Sequence, residues 1–366
     1  MMDRPPLPSV QIVENTENSW CDHLVPAGCI KCGHAHLIAK EFLEQKCPCC
    51  YEGNLESQPA RLRKEPPEYI IPFTKTKEDI KPVIENFTKG IWLKPDDFNP
   101  SKMMERLIPM YRPAWLIDSD MKGFWKAEVG FDYQVKSSQE NFDGGQWKTK
   151  EVIKTNTKWE PRTGELCRHY DNINVPASSD HLKITELTGD YDLTFSEPYS
   201  QYEKLNITIR IPDLIPENIW PDVKNSIDSK ALEECRIASS AQHIGYFTFK
   251  GNYESLNWTQ LLLPLYSTCY KDDKGKYHTV YINGQTGAIG GIRLASQKKG
   301  WQWSGGLLLT GIITFILGLL IGTVIPPLAL LGAFLILMSF IPSIVSIFPV
   351  ISTWRWNKKQ KEKRFI

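Results

Sequence analysis

Between Gly300 and Trp354 the sequence has no Asp, Glu, Lys, Arg or His. A charge-free run of that length excludes an ordinary surface helix, whose outer face is polar. Other absences narrow the chemistry. No Gly-rich loop ends in Gly-Lys-Ser/Thr; Gly275-Lys276 comes nearest and is followed by Tyr277, so no loop is built to cradle nucleotide phosphates. Neither HExxH nor GxSxG occurs, which removes two common signatures of hydrolysis. The opening Met1–Trp20 lacks the apolar stretch of a cleavable signal peptide. Nine cysteines in 366 residues are too few for a secreted disulfide scaffold.

The charge-free run is mostly Leu, Ile, Val, Phe and Gly, and a helix needs about 20 such residues to cross a bilayer, so two crossings fit. Pro326-Pro327 near its middle ends one helix and starts the next. The expected element is a transmembrane helical hairpin over 298–354, Gly305–Ile325 out and Leu328–Ile351 back, with Pro342 and Pro349 kinking the return. Gly311, Gly318 and Gly322 allow close helix packing, and Gly318/Gly322 also fits a dimer motif. Lys298 and Lys299 precede the first crossing; Arg355, Lys358, Lys359, Lys361, Lys363 and Arg364 follow the second. Basic flanks stay cytoplasmic, so both termini and the soluble part are expected inside a plasma (inner) membrane, with Trp301, Trp303, Trp354 and Trp356 at the interface. The sequons at Asn86, Asn206 and Asn257 would then go unused. The formal net charge of +1 hides this segregation, and the basic tail 355–366 also suits anionic lipid headgroups.

Six cysteines crowd into Cys21–Cys50. Cys29/Cys32 and Cys47/Cys50 form two CxxC pairs separated by fourteen residues. Each pair can wrap one edge of a tetrahedral ion, and four thiolates close the sphere around a structural Zn²⁺ with no open position. A disulfide redox pair needs only one CxxC. Cys49 competes with Cys50 as fourth ligand, and Cys21, His23, His34 and His36 could build a second site. A ribbon over 21–54 buries too little apolar surface to fold without its metal. It carries Lys31, Lys40 and Lys46 against Asp22, Glu41, Glu44 and Glu52, which leaves no basic footprint for nucleic acid.

After a flexible tail (1–20), the ribbon and a Pro- and charge-rich linker (55–69), residues 70–297 are expected to form an α+β domain. Ile80, Val83, Ile84, Phe87 and Ile91 recur at helical spacing behind Thr76 as N-cap and Asp79, with Pro82 inside the pattern, where the helix either kinks or starts. Trp125, Ala127, Val129, Phe131, Tyr133 and Val135 alternate with polar residues as a strand with one buried face. Val223, Ile227, Ala231 and Cys235 mark a second helix after Pro221, followed by a hairpin of Leu261–Thr268 and Tyr277–Ile282 and a type I′ pair at Asn283-Gly284. The repeated order suggests a duplicated helix-plus-β-hairpin unit. Cys167 beside His169 is read as an ordinary strand or loop neighbourhood, and His181, His243 and His278 as surface or packed residues. Trp115, Trp125, Tyr266 and Tyr277 are read as sheet core, with a peptide groove as the alternative.

The ribbon, IPFTKTKEDI, YRPAWLID, LLLPLY and above all YHTVYINGQTGAIGG resemble bacterial membrane-anchored zinc-ribbon proteins, often labelled primosomal protein N′-like or TFIIB-type zinc ribbon protein. The YxVxxNGQTG stretch is also similar to PepSY-type domains. The resemblance implies an association with membrane stress or scaffold systems and no established catalytic activity. The helicase label fails on the missing phosphate loop. The expectation is a non-enzymatic, multidomain scaffold or protein-interaction protein with protein partners at the membrane and no nucleotide. A membrane-tethered nucleic-acid-binding module and a hydrolase in the middle domain are the alternatives.

Overall fold

Two long strands, Ile108–Asp143 and His243–Lys271, each contribute residues to both of the compact units into which the chain divides. The computed structural model describes residues 12–13, 22–60, 62–202, 206–324 and 326–362. Most of the expected tail 1–20, Cys21, Lys363 and Arg364 lie outside them; Ile12–Val13 pairs with Leu62–Arg63 as a short antiparallel strand. The residues expected to form one domain, 70–297, fall into both units.

The first unit comprises Ala114–Ser179 and Pro212–Leu261. Its hairpin runs in register from Ala114 opposite Pro176 to Asp143 opposite Gln146, with one irregularity between Ile117 and Ser119. Gly144 and Gly145 turn it, both at positive φ (62° and 81°), which a two-residue type I′ turn requires. Helix Pro216–Ala238 passes through Pro221 and presents Val223, Ile227, Ala231 and Cys235 on its buried side, a spacing of four that keeps them on one stripe. Val223, Ile227 and Ala231 join Trp115, Trp220, Tyr253 and Trp258 in a core whose rings meet edge to face. The expected one-sided burial holds at Ala127 and Val129 and then ends: Tyr133 is 49% exposed and Val135 36%. Beyond Phe131 the hairpin is a two-stranded arm in solvent, so alternation there has no core to face.

The second unit contains the described residues of Gln11–Pro113, Asp180–Ile211 and Leu262–Ile366. Helix Lys77–Phe87 starts where its sequence signals it: Thr76 and Asp79 cap each other reciprocally, and Ile80, Ile84 and Phe87 are buried. It runs through Pro82 rather than starting there. The hairpin Lys271–Tyr277 turn pairs Leu265 with Asn283 through to Lys271 with Tyr277, far shorter than the hairpin of the first unit, so only the order of elements recurs. Asn283-Gly284 is not a type I′ pair, because the positive φ falls at Gly287. Instead the Asn283 carboxamide oxygen accepts from the amides of Gln285 and Thr286, while its nitrogen donates to the Thr188 and Asp190 carbonyls. The loop is thus organised from a buried side chain.

Two helices are long and apolar enough to cross a membrane, Gln297–Val324 and Ala329–Gln360. The second is interrupted at Ser346, between Ala329–Val345 and Ile347–Glu362. Pro349 lacks the N–H that the Val345 carbonyl would need, which locates the break. The basic segment after Trp354 therefore continues as helix to Glu362. Trp301, Trp303 and Trp354 are exposed, whereas Trp356 is half-buried and donates its indole N–H to the Arg293 carbonyl.

Candidate metal centre

The amino-terminal ribbon is a three-stranded antiparallel sheet. Leu24–Cys29 pairs with Ala35–Ala39 on one side and with Leu55–Ser57 on the other. Leu55–Ser57 thus belongs to the ribbon rather than to the linker expected over 55–69, because Leu55 is fully buried beside Ala27, Ile38 and Cys47. The ribbon is no free-standing module either. Leu37 and His36 pair onward with Ile209 and Arg210, whose strand runs parallel to Met110 and Tyr111.

The two CxxC turns have matching geometry. In the first, Gly33 N–H donates to the Cys29 carbonyl (2.8 Å) and Cys29 N–H to the His34 carbonyl (3.0 Å). In the second, Tyr51 N–H donates to the Cys47 carbonyl (2.9 Å) and Cys47 N–H to the Gly53 carbonyl (3.0 Å). Gly33 and Tyr51, at equivalent places, both have positive φ (74° and 57°). That conformation is free for glycine and costly for tyrosine. Tyr51 is held in it by burial and by its hydroxyl, which bonds to Ser267 and to the Arg106 carbonyl. A Cβ on Gly53 would lie 2.5 Å from the Cys29 sulfur, so only glycine leaves that thiol its place.

These turns bring Cys29, Cys32, Cys47 and Cys50 together, their sulfurs all within 4.8 Å of one another. Cys29 and Cys50 are 3.6 Å apart, as are Cys32 and Cys47. A tetrahedral ion bound at about 2.3 Å has sulfur–sulfur edges of about 3.8 Å, whereas a disulfide requires about 2.05 Å. The spacing therefore fits a shared cation and not an S–S bond. Without a cation, the hydrogen bond with Cys47 and then burial push the Cys32 thiol up, and burial pushes Cys50 up. Both shifts favour the protonated thiols; a divalent ion at this site would make thiolates of its ligands.

Cys49 stands outside this set, its sulfur 3.5 Å from His36 Nε2. His36, Cys47 and Cys49 also approach within 4.8 Å, but they share Cys47 with the four-sulfur group. Of the other second-site candidates, His23 is exposed and His34 half-buried. Cys167 and His169 are exposed on the strand opposite Lys122 and Asp120, with His169 Nδ1 2.8 Å from Asp120. His243 and His278 likewise pair with Asp132 and Asp272 (2.9 and 3.0 Å). Trp115 and Tyr266 are buried in separate cores, while Trp125 stacks on Phe247 at 5.5 Å.

A feature without a sequence signal adjoins the ribbon's strand pairing. Arg112, Arg210, His36 and His181 are all buried, with Asp180 bridging Arg210 at 2.6 Å. The Arg112 guanidinium donates to the His181 carbonyl and the Thr185 hydroxyl. Burial, then Arg112, draws His181 from 6.5 down to about 4. The unfolded chain takes up a proton between those values that the folded chain refuses. Stability is therefore full above the unfolded value and is lost as pH falls toward the folded one. Lowering pH from 7.5 to 5 should cost about 2 kcal/mol through this group. Denaturation of the detergent-solubilised chain at both pH values should show a smaller difference for His181→Leu; an unchanged difference would remove His181 as the cause.

No protein-family description matches the chain, and no solved structure matches it. It is similar to the uncharacterized protein YdjG of Bacillus subtilis (strain 168), at 24% identity over 254 residues, covering 66% of this chain and 67% of that protein.

Proposed function

We propose that this chain is a membrane-anchored zinc-ribbon scaffold, a protein-interaction platform without catalytic turnover, serving membrane stress or membrane organisation. The observation that carries this reading is the closed four-cysteine arrangement: every ligand position of a tetrahedral Zn²⁺ would be taken by the chain, leaving none for water or substrate. Such an ion would act structurally, joining the first turn to the second, which docks through Cys49 and Tyr51 onto the hairpin of Ser267 and Thr279. The basic flanks of the helical hairpin favour a reading in which the soluble part and both ends lie on the cytoplasmic side of the plasma membrane. The ribbon's slight acidic excess favours proteins over nucleic acid as partners.

Cross-linking in intact cells, followed by capture of the full chain from native membranes, tests the reading. The expected result is a defined set of proteins held by the wild type and lost when the ribbon is unfolded by Cys47→Ser. Metal-dependent ATP hydrolysis that disappears with Lys276→Ala would overturn it. Tight, salt-sensitive binding of DNA would promote a tethered nucleic-acid binder in its place. Reporter fusions at both ends check the orientation; an external signal at either end sinks the two-crossing arrangement.

A further inference from the structure

The return helix of the hairpin carries an open cleft of about 500 Å³ lined by Phe348, Ile351, Ser352, Arg355, Trp356 and Lys359. These positions recur at intervals of three and four along Ile347–Glu362, so they form one stripe of that helix. The stripe is graded. Phe348 and Ile351 occupy the apolar end, Ser352 the middle, and Arg355 and Lys359 the end beyond the charge-free run. Among the described residues no carboxylate lines the cleft; Glu362, the nearest in sequence, lies 3.9 Å from Lys358, which is not in the lining.

The wall is also fixed in place. Trp356 donates to the Arg293 carbonyl at 2.7 Å, and Asn357 bonds to both the amide and the carbonyl of Ala295. The far side of Trp356 packs against the core around Phe87 and Ala295. The cleft is therefore formed by a helix bound to the soluble part, and it does not depend on loose side chains alone.

We propose that this cleft binds one anionic phospholipid, with its phosphate between Arg355 and Lys359 and an acyl chain against Phe348 and Ile351. The proposal rests on the membrane-anchored reading above and adds a defined lipid site to it. Two cations with no opposing acid provide the charge complement, and the adjoining apolar end suits a diacyl tail better than a soluble phosphate. Occupancy would press on Trp356, which connects the bilayer surface to the core of the soluble part.

Native mass spectrometry of the full chain, delipidated and titrated with phosphatidylglycerol or phosphatidylcholine, tests this. One phosphatidylglycerol should be retained per chain in preference to phosphatidylcholine. Arg355→Gln with Lys359→Gln should weaken retention about 25-fold, taking about 1 kcal/mol for each basic residue near the surface. Lys358→Gln should change it little. Equal retention of the two lipids, or unchanged retention in the double variant, overturns the proposal while the anchor reading stands. A carbonate wash of chain-bearing vesicles separates the two failures, because release of the chain would overturn both.

Discussion

Replacing Cys47 with serine should take the chain from about one zinc to almost none and unfold the ribbon. Cys47 is fully buried, its sulfur is 3.6 Å from that of Cys32, and its backbone closes the second turn at both ends. Structural zinc sites contribute on the order of 10 kcal/mol to folding, more than a small three-stranded sheet gains from its own core. The damage should spread, because the Tyr51 side chain and the Cys49 carbonyl anchor this turn to Ser267, Thr279 and Tyr281. Metal analysis and limited proteolysis across residues 24–57 would report both effects. Cys49→Ser is the control: Cys49 lies against His36 and outside the four-sulfur group, so zinc should remain. Zinc retained by Cys47→Ser, or lost from Cys49→Ser, would overturn the ligand assignment.

The four cysteines were legible because two CxxC pairs constrain geometry by spacing alone. Helix Lys77–Phe87 and the stripe Val223, Ile227, Ala231 and Cys235 were legible for the same reason, since local periodicity and caps decide them. What escaped depends on non-local pairing. Nothing in residues 55–57 announces that they return to Ala27–Cys29, and the following prolines and charges suggest a linker. The junction of the ribbon with Thr208–Arg210 spans more than 160 residues of sequence and leaves no periodic trace. Nothing in the sequence marks Arg112 and Arg210 as buried, since arginine is usually exposed; only the fold shows it. The arm misled in the opposite direction. Tyr133 and Val135 continue the alternation of a half-buried strand, although their partner strand, Gln146–Pro176, has too few apolar residues to supply a second layer.

Substituting Gly332 with leucine should force the two apolar helices apart. A Cβ at Gly332 would stand 2.6 Å from the Cα and nitrogen of Gly322 and 2.7 Å from the Gly318 carbonyl, all of it backbone that cannot rotate away. On the facing side, a Cβ at Gly318 would meet the Gly332 carbonyl and the Ile336 amide at 2.9 Å. Lower down, Gly311 accommodates Ser343 and Ser339, and the Ser304 hydroxyl donates to the Ser346 carbonyl. Gly318 and Gly322 are thus used within this hairpin, where small residues let backbones approach closely. Overpacking of this kind costs about 1–3 kcal/mol, so denaturation of the chain in bicelles should shift by that amount. Gly306→Leu is the matched control, since its Cβ would meet nothing within 4 Å. If Gly332→Leu left the hairpin's stability unchanged and altered only self-association, the glycines would serve a contact between chains, and the packing described here would be wrong.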